Sequence, residues 1–398
     1  MAKITTDKKA VENFLNSRYV EAVFPSKERA TELMTSGKKL IFYWGIDPTG
    51  PDVHLGHTTN PLLLKKLIEL GHEVVLLIGS FTAMIGDPTG KDIARKVLSS
   101  EDVRSNMKTY LEQIQKLLPK GSFKVKYNAD WYRKMTVEEF VKLSDHVTVQ
   151  QMIARDMFQR RIKEDKPISL REFLYPVLQG YDSVAIGVDG EVGGNDQTFN
   201  MLVGRDLLKH ILGKDKIVVT TRLLEDPLSG KKIMNKSEGQ YVAINQQPED
   251  MFGKIMAMPD PVILPLLTYT TEVHDNKIAE AKERLDSDEN PMVLKKELAY
   301  ELVRMYHGEK MAEKARDNFE RIFSKGQLPE EIKEVEGNGR PIIQVLLGMG
   351  LIMSNSEGKR LFEQNAVSVN NKIINNWDYQ VSSGDIIKVG PRRFLKVR

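Results

Sequence analysis

The sequence predicts an α/β fold, in which a parallel-sheet domain with a helical insertion is followed by an α-helical domain and a small α+β module. Three observations carry this prediction. Residues 40–79 read as strand, loop, helix, strand, which is a right-handed βαβ crossover. Helix-start signals recur through the middle of the chain, where Thr136 with Glu139, Thr148 with Gln151 and Ser169 with Glu172 each have capping-box spacing. From Arg340 onward the pattern changes to short strands and turns, with nine Lys/Arg against four Asp/Glu.

Composition sets the outer limits. A chain of 398 residues accommodates two or three domains, and 41% hydrophobic with 28% charged residues is ordinary for a folded protein with a sizeable core. No apolar run approaches the ~18 residues of a membrane span, and MAKITTDKKAVENF lacks a signal core, so a cytoplasmic protein without membrane contact is expected. With no Cys there are no disulfides, thiolate nucleophiles or Cys-bound metals, and seven His offer no spacing suited to zinc. A basic terminal module on a near-neutral body fits a polyanion such as RNA, though alone it more often means a solvated surface.

In chain order, residues 5–37 predict two helices, the second capped by Ser26 and stopped by Gly37. A strand over 40–46 breaks at Asp47-Pro48-Thr49-Gly50-Pro51, and helical spacing resumes at His54-Leu55-Gly56-His57, ending at Gly71 before a strand over 73–79. The loop 79–91 is no phosphate loop, because Gly86 to Gly90-Lys91 is one residue short and Asp92 replaces the Ser/Thr. Its Asp87 suits an ammonium group instead. A long helix is expected from Ser100 to near Pro119, a strand over 123–128, and a helical insertion over 136–165.

The helix opening at Ser169 places Tyr175, Gln179 and Asp182 on one face, at i, i+4 and i+7. A buried polar stripe of this kind must be satisfied, either by a core network or by a ligand. Val192-Gly193-Gly194-Asn195-Asp196-Gln197 ends a strand, a helix runs to about Leu212, and a strand over 216–220 leads to the lysine-rich loop 230–239. Helices over 248–258, 276–285, 291–306 and 309–324 form the helical region. A linker over 327–339 precedes short helices at 342–350 and 356–364 and strands at 367–373 and 384–390.

The most informative junction is the one at His54. At the end of such a strand the first helical N–H groups lack backbone partners, the macrodipole favours an anion, and Gly56 lets a ligand approach closely. Two histidines three apart would add imidazole N–H groups over the same anion. Taken alone, such a pair is most often a bare surface feature.

Context makes the pair specific. Asp47-Pro48-Thr49 followed by His54-Leu55-Gly56-His57 resembles the HIGH signature of class I aminoacyl-tRNA synthetases, in the form carried by the tyrosyl enzymes. About 180 residues later, the loop 230–239 resembles their KMSKS signature, with Lys236 and Ser237 aligned, Ile233 at the first lysine position, Lys232 one residue early and Asn235 for the middle serine. Gly193-Gly194-Asn195-Asp196-Gln197 is similar to the family's Gly-Gly-Ser/Thr-Asp-Gln, departing at Asn195. Residues 340–398 resemble the S4 RNA-binding domain that ends the bacterial and organellar tyrosyl enzymes.

The resemblance implies a Rossmann-like catalytic domain over 1–245, with 136–165 as a dimer contact, a tRNA-facing helical domain over 246–326, the linker 327–339 and an S4-like domain over 340–398. It implies activation of L-tyrosine by ATP with Mg2+, then transfer to tRNA(Tyr), in a homodimer. The implied catalytic residues are His54, His57 and Lys236. Tyr43, Asp87, Tyr175, Gln179, Asp182 and Gln197 would bind tyrosine. Gly45, Asp47, Thr49, His54, Gly56, His57, Asn60, Gly194, Asp196, Lys232, Lys236 and Ser237 would bind ATP. Two alternatives stand beside it: a tryptophanyl-type synthetase, and an RNA-binding relative that no longer aminoacylates. Trp44, next to the nucleotide site so implied, has no assigned role.

Overall fold

The computed structural model describes residues 4–90, 97–234, 241–287, 289–324, 328, 332–352, 354–390 and 393–398. Two compact units emerge: Met1–Gln246 with Pro259–Leu294, and Gln247–Met258 with Lys295–Arg398.

The first unit is built on six strands: β1 (Val20–Phe24), β2 (Ile41–Ile46), β3 (Glu73–Ile78), β4 (Lys124–Tyr127), β5 (Gly190–Gly194) and β6 (Ile217–Thr221). Their spatial order is β1-β6-β5-β2-β3-β4, parallel except for β1, which lies antiparallel to β6. β2 and β3 pair in register from Ile41 with Glu73 to Ile46 with Ile78. Both are buried nearly throughout, as a central parallel pair covered on both faces must be. From β2 the chain winds outward to β3 and β4, then returns to β5 and winds the other way. The strand order therefore reverses between β2 and β5, which is where a doubly wound sheet opens a crevice at its carboxyl ends.

Most predicted elements lie close to where the sequence puts them, and the three capping boxes all form, at Thr136, Thr148 and Ser169. The insertion consists of helices Val137–Ser144, Val149–Ile153 and Asp156–Lys163. It is pinned to the Leu170–Ile186 helix by a buried, two-pronged pair in which Arg161 donates to Glu172 at 2.6 and 3.0 Å.

Four expectations need correction. Between the two N-terminal helices, Lys8–Leu15 and Lys27–Met34, lies β1, an edge strand too short to stand out in sequence. The long helix expected over 100–119 is two, Ser100–Met107 and Tyr110–Ile114; Gln113 Nε2 donates to Thr109 Oγ1 and to the Pro51 carbonyl, both at 2.9 Å, binding the break to the loop after β2. The helical region does not stay together, because 259–294, with helices Ile263–Thr270 and Asp275–Asp286, packs within the first unit. Finally, the segment 327–339 is not all linker, since Lys333–Val335 forms a strand.

In the second unit the Pro248–Met256 helix packs on Glu309–Phe319, with the Phe252 and Phe319 rings 5.3 Å apart. The terminal module is a second sheet of β7 (Lys333–Val335), β8 (Val367–Val369), β9 (Lys372–Ile373), β10 (Ile386–Val389) and β11 (Arg393–Val397), in the order β7-β11-β10-β8-β9. Helices Ile342–Gly348 and Asn355–Glu363 cover it, and Leu346, Phe362, Val367 and Ile387 are among its fully buried core. β7 pairs parallel to β11, giving Leu395 and Val397 an otherwise missing neighbour. Among the described residues of the chain, no single helix is long and apolar enough to cross a membrane.

Candidate active site

At the carboxyl ends of β2, β3 and β5 the first unit holds a cavity of about 910 Å³, a size suited to a small-molecule substrate. Tyr43, Gly45, Asp47, Thr49, His54, Gly56, His57, Asn60, Asp87, Tyr175, Gln179, Asp182, Gly194, Asp196, Gln197 and Lys232 all line it. Every candidate residue that is described is thus brought to one place. Lys236 and Ser237 lie outside the described residues.

The histidine pair does not sit on the first turn of the α-helix as expected. His54 caps a 3-10 turn, Leu55–His57, which precedes the Thr59–Glu69 helix. In a 3-10 turn residues three apart eclipse one another, and the two imidazoles stack with centroids 3.8 Å apart. His54 Nδ1 accepts the Gly56 N–H at 3.1 Å, and His57 Nδ1 accepts the His54 N–H at 3.3 Å. A nitrogen that accepts carries no proton, so in the neutral ring the proton is on Nε2 of each, and both rings present a donor. Gly56 is required at close quarters, because a Cβ there would lie 3.0 Å from the His54 ring and 3.1 Å from Met234.

Asp47, one residue past β2, is held from two sides: Thr82 Oγ1 donates to it at 2.7 Å and the Tyr175 hydroxyl at 2.9 Å. Asp87 accepts from Gln197 Nε2 at 2.8 Å and from the Thr89 N–H at 3.0 Å. Asn200 donates to both Gln197 and Gln179 at 3.0 Å, and Gln179 donates to Glu191 at 3.3 Å. Of the polar stripe on the Leu170–Ile186 helix, Tyr175 is thus linked to Asp182 through Asp47, Thr82 and Asn128, and Gln179 is linked to Asp87 through Asn200 and Gln197.

Asp182, like Glu191, is a deeply buried carboxylate lining the cavity. Tyr132 donates to it at 2.8 Å, Trp131 Nε1 at 3.0 Å and Asn128 at 3.3 Å. Burial pushes its pKa from 3.8 up to about 8, against the opposing pull of those three donors. The Tyr43 hydroxyl is pushed well above its usual value by burial and by the carboxylates of Glu191 and Asp182. Elsewhere in the cavity lining, Lys232 makes an ion pair with Asp196 at 2.6 Å, and Asn60 accepts from Thr221 at 2.8 Å.

Sequence reasoning missed Thr82, Asn128, Trp131, Tyr132, Glu191 and Thr221. Most of these hold other side chains, and their only signal was indirect: a buried carboxylate at Asp182 demands donors from somewhere. Trp44, buried in β2, also lines the cavity.

A family model described as tRNA synthetases class I (W and Y) matches residues 35–324. A tyrosine–tRNA ligase of Carboxydothermus hydrogenoformans is 42% identical over 394 residues, 96% of each chain. One of Dehalococcoides mccartyi is 41% identical over 374 residues, covering 93% of this chain and 94% of its own. Among solved structures, a C-terminally truncated mitochondrial tyrosyl-tRNA synthetase of Coccidioides posadasii matches 77% of this chain and 91% of its own, with a TM-score of 0.62 and 26% identity.

Proposed function

The chain belongs to the class I tRNA synthetases of the tryptophan and tyrosine group, with the ATP-dependent ligation of tyrosine to tRNA as its activity, and from that premise we propose how its residues divide the work. The first step is attack by the tyrosine carboxylate on the α-phosphate of ATP, expelling pyrophosphate. A carboxylate is already ionised at neutral pH, so no general base is needed. The requirement is alignment, together with donors and positive charge where negative charge collects on the phosphates.

His54 and His57 would supply two of those donors through Nε2, with Lys236 and Ser237 of the KMSKS-like loop adding positive charge and a hydroxyl. Asp196 and Gly194 would take the ribose, Lys232 being released from Asp196 toward the phosphates. Gly45, Asp47, Thr49, Gly56 and Asn60 would form the remaining nucleotide contacts. Magnesium would arrive with the triphosphate, carried by phosphate oxygens and water and adding charge neutralisation.

Tyrosine would lie with its ammonium against Asp87, Tyr175 and Gln179, oriented by Gln197, and its phenol between Tyr43 and Asp182. The observation that carries this reading is the buried Asp182 carboxylate facing the cavity: phenylalanine would leave it short of a donor, whereas a phenol supplies one. Tyr43 beside it favours tyrosine over tryptophan, because a phenol oxygen can also accept a hydrogen bond whereas an indole N–H only donates.

In the second step a terminal ribose hydroxyl of tRNA(Tyr) attacks the adenylate. The terminal module, with its S4-like pattern and excess of basic residues, would grip RNA phosphates. Exposed Val137, Val141, Val149 and Leu170 on and beside the insertion support a homodimer contact there. A cytoplasmic location fits this activity. Pyrophosphate exchange driven separately by tyrosine, tryptophan and phenylalanine tests the reading: exchange with tyrosine alone supports it, tryptophan-driven exchange supports the neighbouring specificity, and none at all supports a protein that binds RNA without charging it.

A further inference from the structure

We propose that Lys216 is a positioning residue for tyrosine specificity: acting through Ser183 and Glu191, its buried ammonium turns the Tyr43 hydroxyl proton into the pocket, toward the phenolic oxygen of the substrate. The inference rests on the reading of Tyr43 as a phenol contact.

Lys216 immediately precedes β6 and is 1% exposed. It does not line the cavity. Its Nζ donates to Ser183 Oγ at 2.6 Å and pairs with the Glu191 carboxylate, and Ser183 Oγ lies 2.9 Å from the Tyr43 hydroxyl. Space for the ammonium is made by two glycines where the Leu170–Ile186 and Thr198–Leu212 helices cross. A Cβ on Gly204 would stand 2.8 Å from Lys216 Nζ, and the Gly180 and Gly204 backbones are too close for side chains. Such a chamber does more than fill volume, since an apolar residue would fill it at lower desolvation cost.

Proton counting gives the chamber its direction. An ammonium donates and cannot accept, so the single Ser183 proton cannot point at Lys216. Two acceptors remain: Tyr43 at 2.9 Å and a Glu191 oxygen at 3.5 Å that already holds the ammonium. The shorter bond wins, and Ser183 donates to Tyr43. Tyr43 must then donate elsewhere. Glu191 is the competing acceptor for that proton, raising the Tyr43 pKa both by its charge and through a hydrogen bond. Its charge is countered by Lys216, which weakens that hold and lets a phenolic oxygen in the cavity take the proton. A bound phenol would accept from Tyr43 and donate to Asp182, so both of its hydrogen-bonding roles would be read.

The test is tyrosine- and phenylalanine-dependent pyrophosphate exchange in the full chain, comparing Ser183→Ala, the charge-neutral pair Lys216→Met with Glu191→Gln, and Tyr43→Phe. Loss of one directed hydrogen bond predicts a KM for tyrosine raised about tenfold in Ser183→Ala and in the double variant, with kcat and the KM for ATP nearly unchanged. Phenylalanine, which lacks the oxygen, should keep its parental kcat/KM, so the tyrosine-to-phenylalanine ratio falls about tenfold. A parental ratio in folded Ser183→Ala, or an equal loss for both amino acids, overturns the inference. Tyr43→Phe separates the two levels: if it also keeps the parental ratio, the phenol reading itself is wrong, whereas loss in Tyr43→Phe alone refutes only the role of Lys216.

Discussion

The imidazole rings of His54 and His57 stack at 3.8 Å with 23° between their planes, and each uses Nδ1 to accept a backbone N–H of the same short turn. The backbone thereby fixes both tautomers, and two rings lining the cavity keep Nε2 as a donor without a charge having to be buried first.

Replacing either ring should therefore cost rate more than affinity. His54→Ala and His57→Ala are each expected to lower kcat for adenylate formation by about 10²- to 10³-fold, with little change in the KM for tyrosine. Stopped-flow measurement of the first turnover checks this. A pure KM effect would mean that the rings bind ground-state ATP and nothing more.

Asp182→Asn should reduce the preference for tyrosine over phenylalanine by about 10- to 100-fold, since an amide removes one charged acceptor while keeping some partner for Tyr132, Trp131 and Asn128. Alanine would strand all three buried donors and confound specificity with stability. The pyrophosphate-exchange ratio for the two amino acids is the measurement.

The same carboxylate makes the empty protein sensitive to pH. Its pKa is raised in the fold, from 3.8 to about 8, so the folded chain holds a proton that the unfolded chain releases near pH 4. That contribution is present in full below pH 4 and is lost as pH rises to about 8. Thermal midpoints of the ligand-free protein should accordingly decline between pH 5 and pH 8 by more in the parent than in Asp182→Asn. Equal slopes would contradict the assignment.

Gly79→Ala should unfold the floor of the site. A Cβ at that position would fall 1.8 Å from Asp47 Oδ1 and 2.6 Å from Thr82 Oγ1, and neither can retreat without breaking its hydrogen bond to the other. A loss of about 1–3 kcal/mol in denaturant melts is expected, together with a raised KM for ATP.

Removing residues 332–398 should leave tyrosine activation largely intact and lower tRNA charging. The cut belongs at 332 and not at 340, because β7 is part of the terminal sheet and would otherwise be left without its partner β11. Equal loss of both activities would show that the module is no separable RNA-binding element.

The sheet was legible in sequence wherever a strand was an apolar run bounded by turn residues, as β2 and β3 are, and the helix starts were legible wherever a side chain caps its own backbone, as Thr136, Thr148 and Ser169 do. β1 and β7 were not. Each is a short edge strand whose identity comes from its partner, β6 or β11, far away in the chain. In the site, residues with chemically distinctive spacing (His54 with His57, Tyr175 with Gln179 and Asp182) announced themselves. The residues that hold them did not, because Asn128, Tyr132 and Glu191 take their meaning from contacts that only the fold creates.

The most direct test of the central claim is a crystal structure with a non-hydrolysable tyrosyl-adenylate analogue. The account predicts the phenolic oxygen within hydrogen-bonding distance of both Tyr43 and Asp182, and the phosphate-mimicking group against Nε2 of His54 and His57. An analogue bound with its ring away from Asp182, or outside the cavity at the ends of β2 and β5, would contradict it.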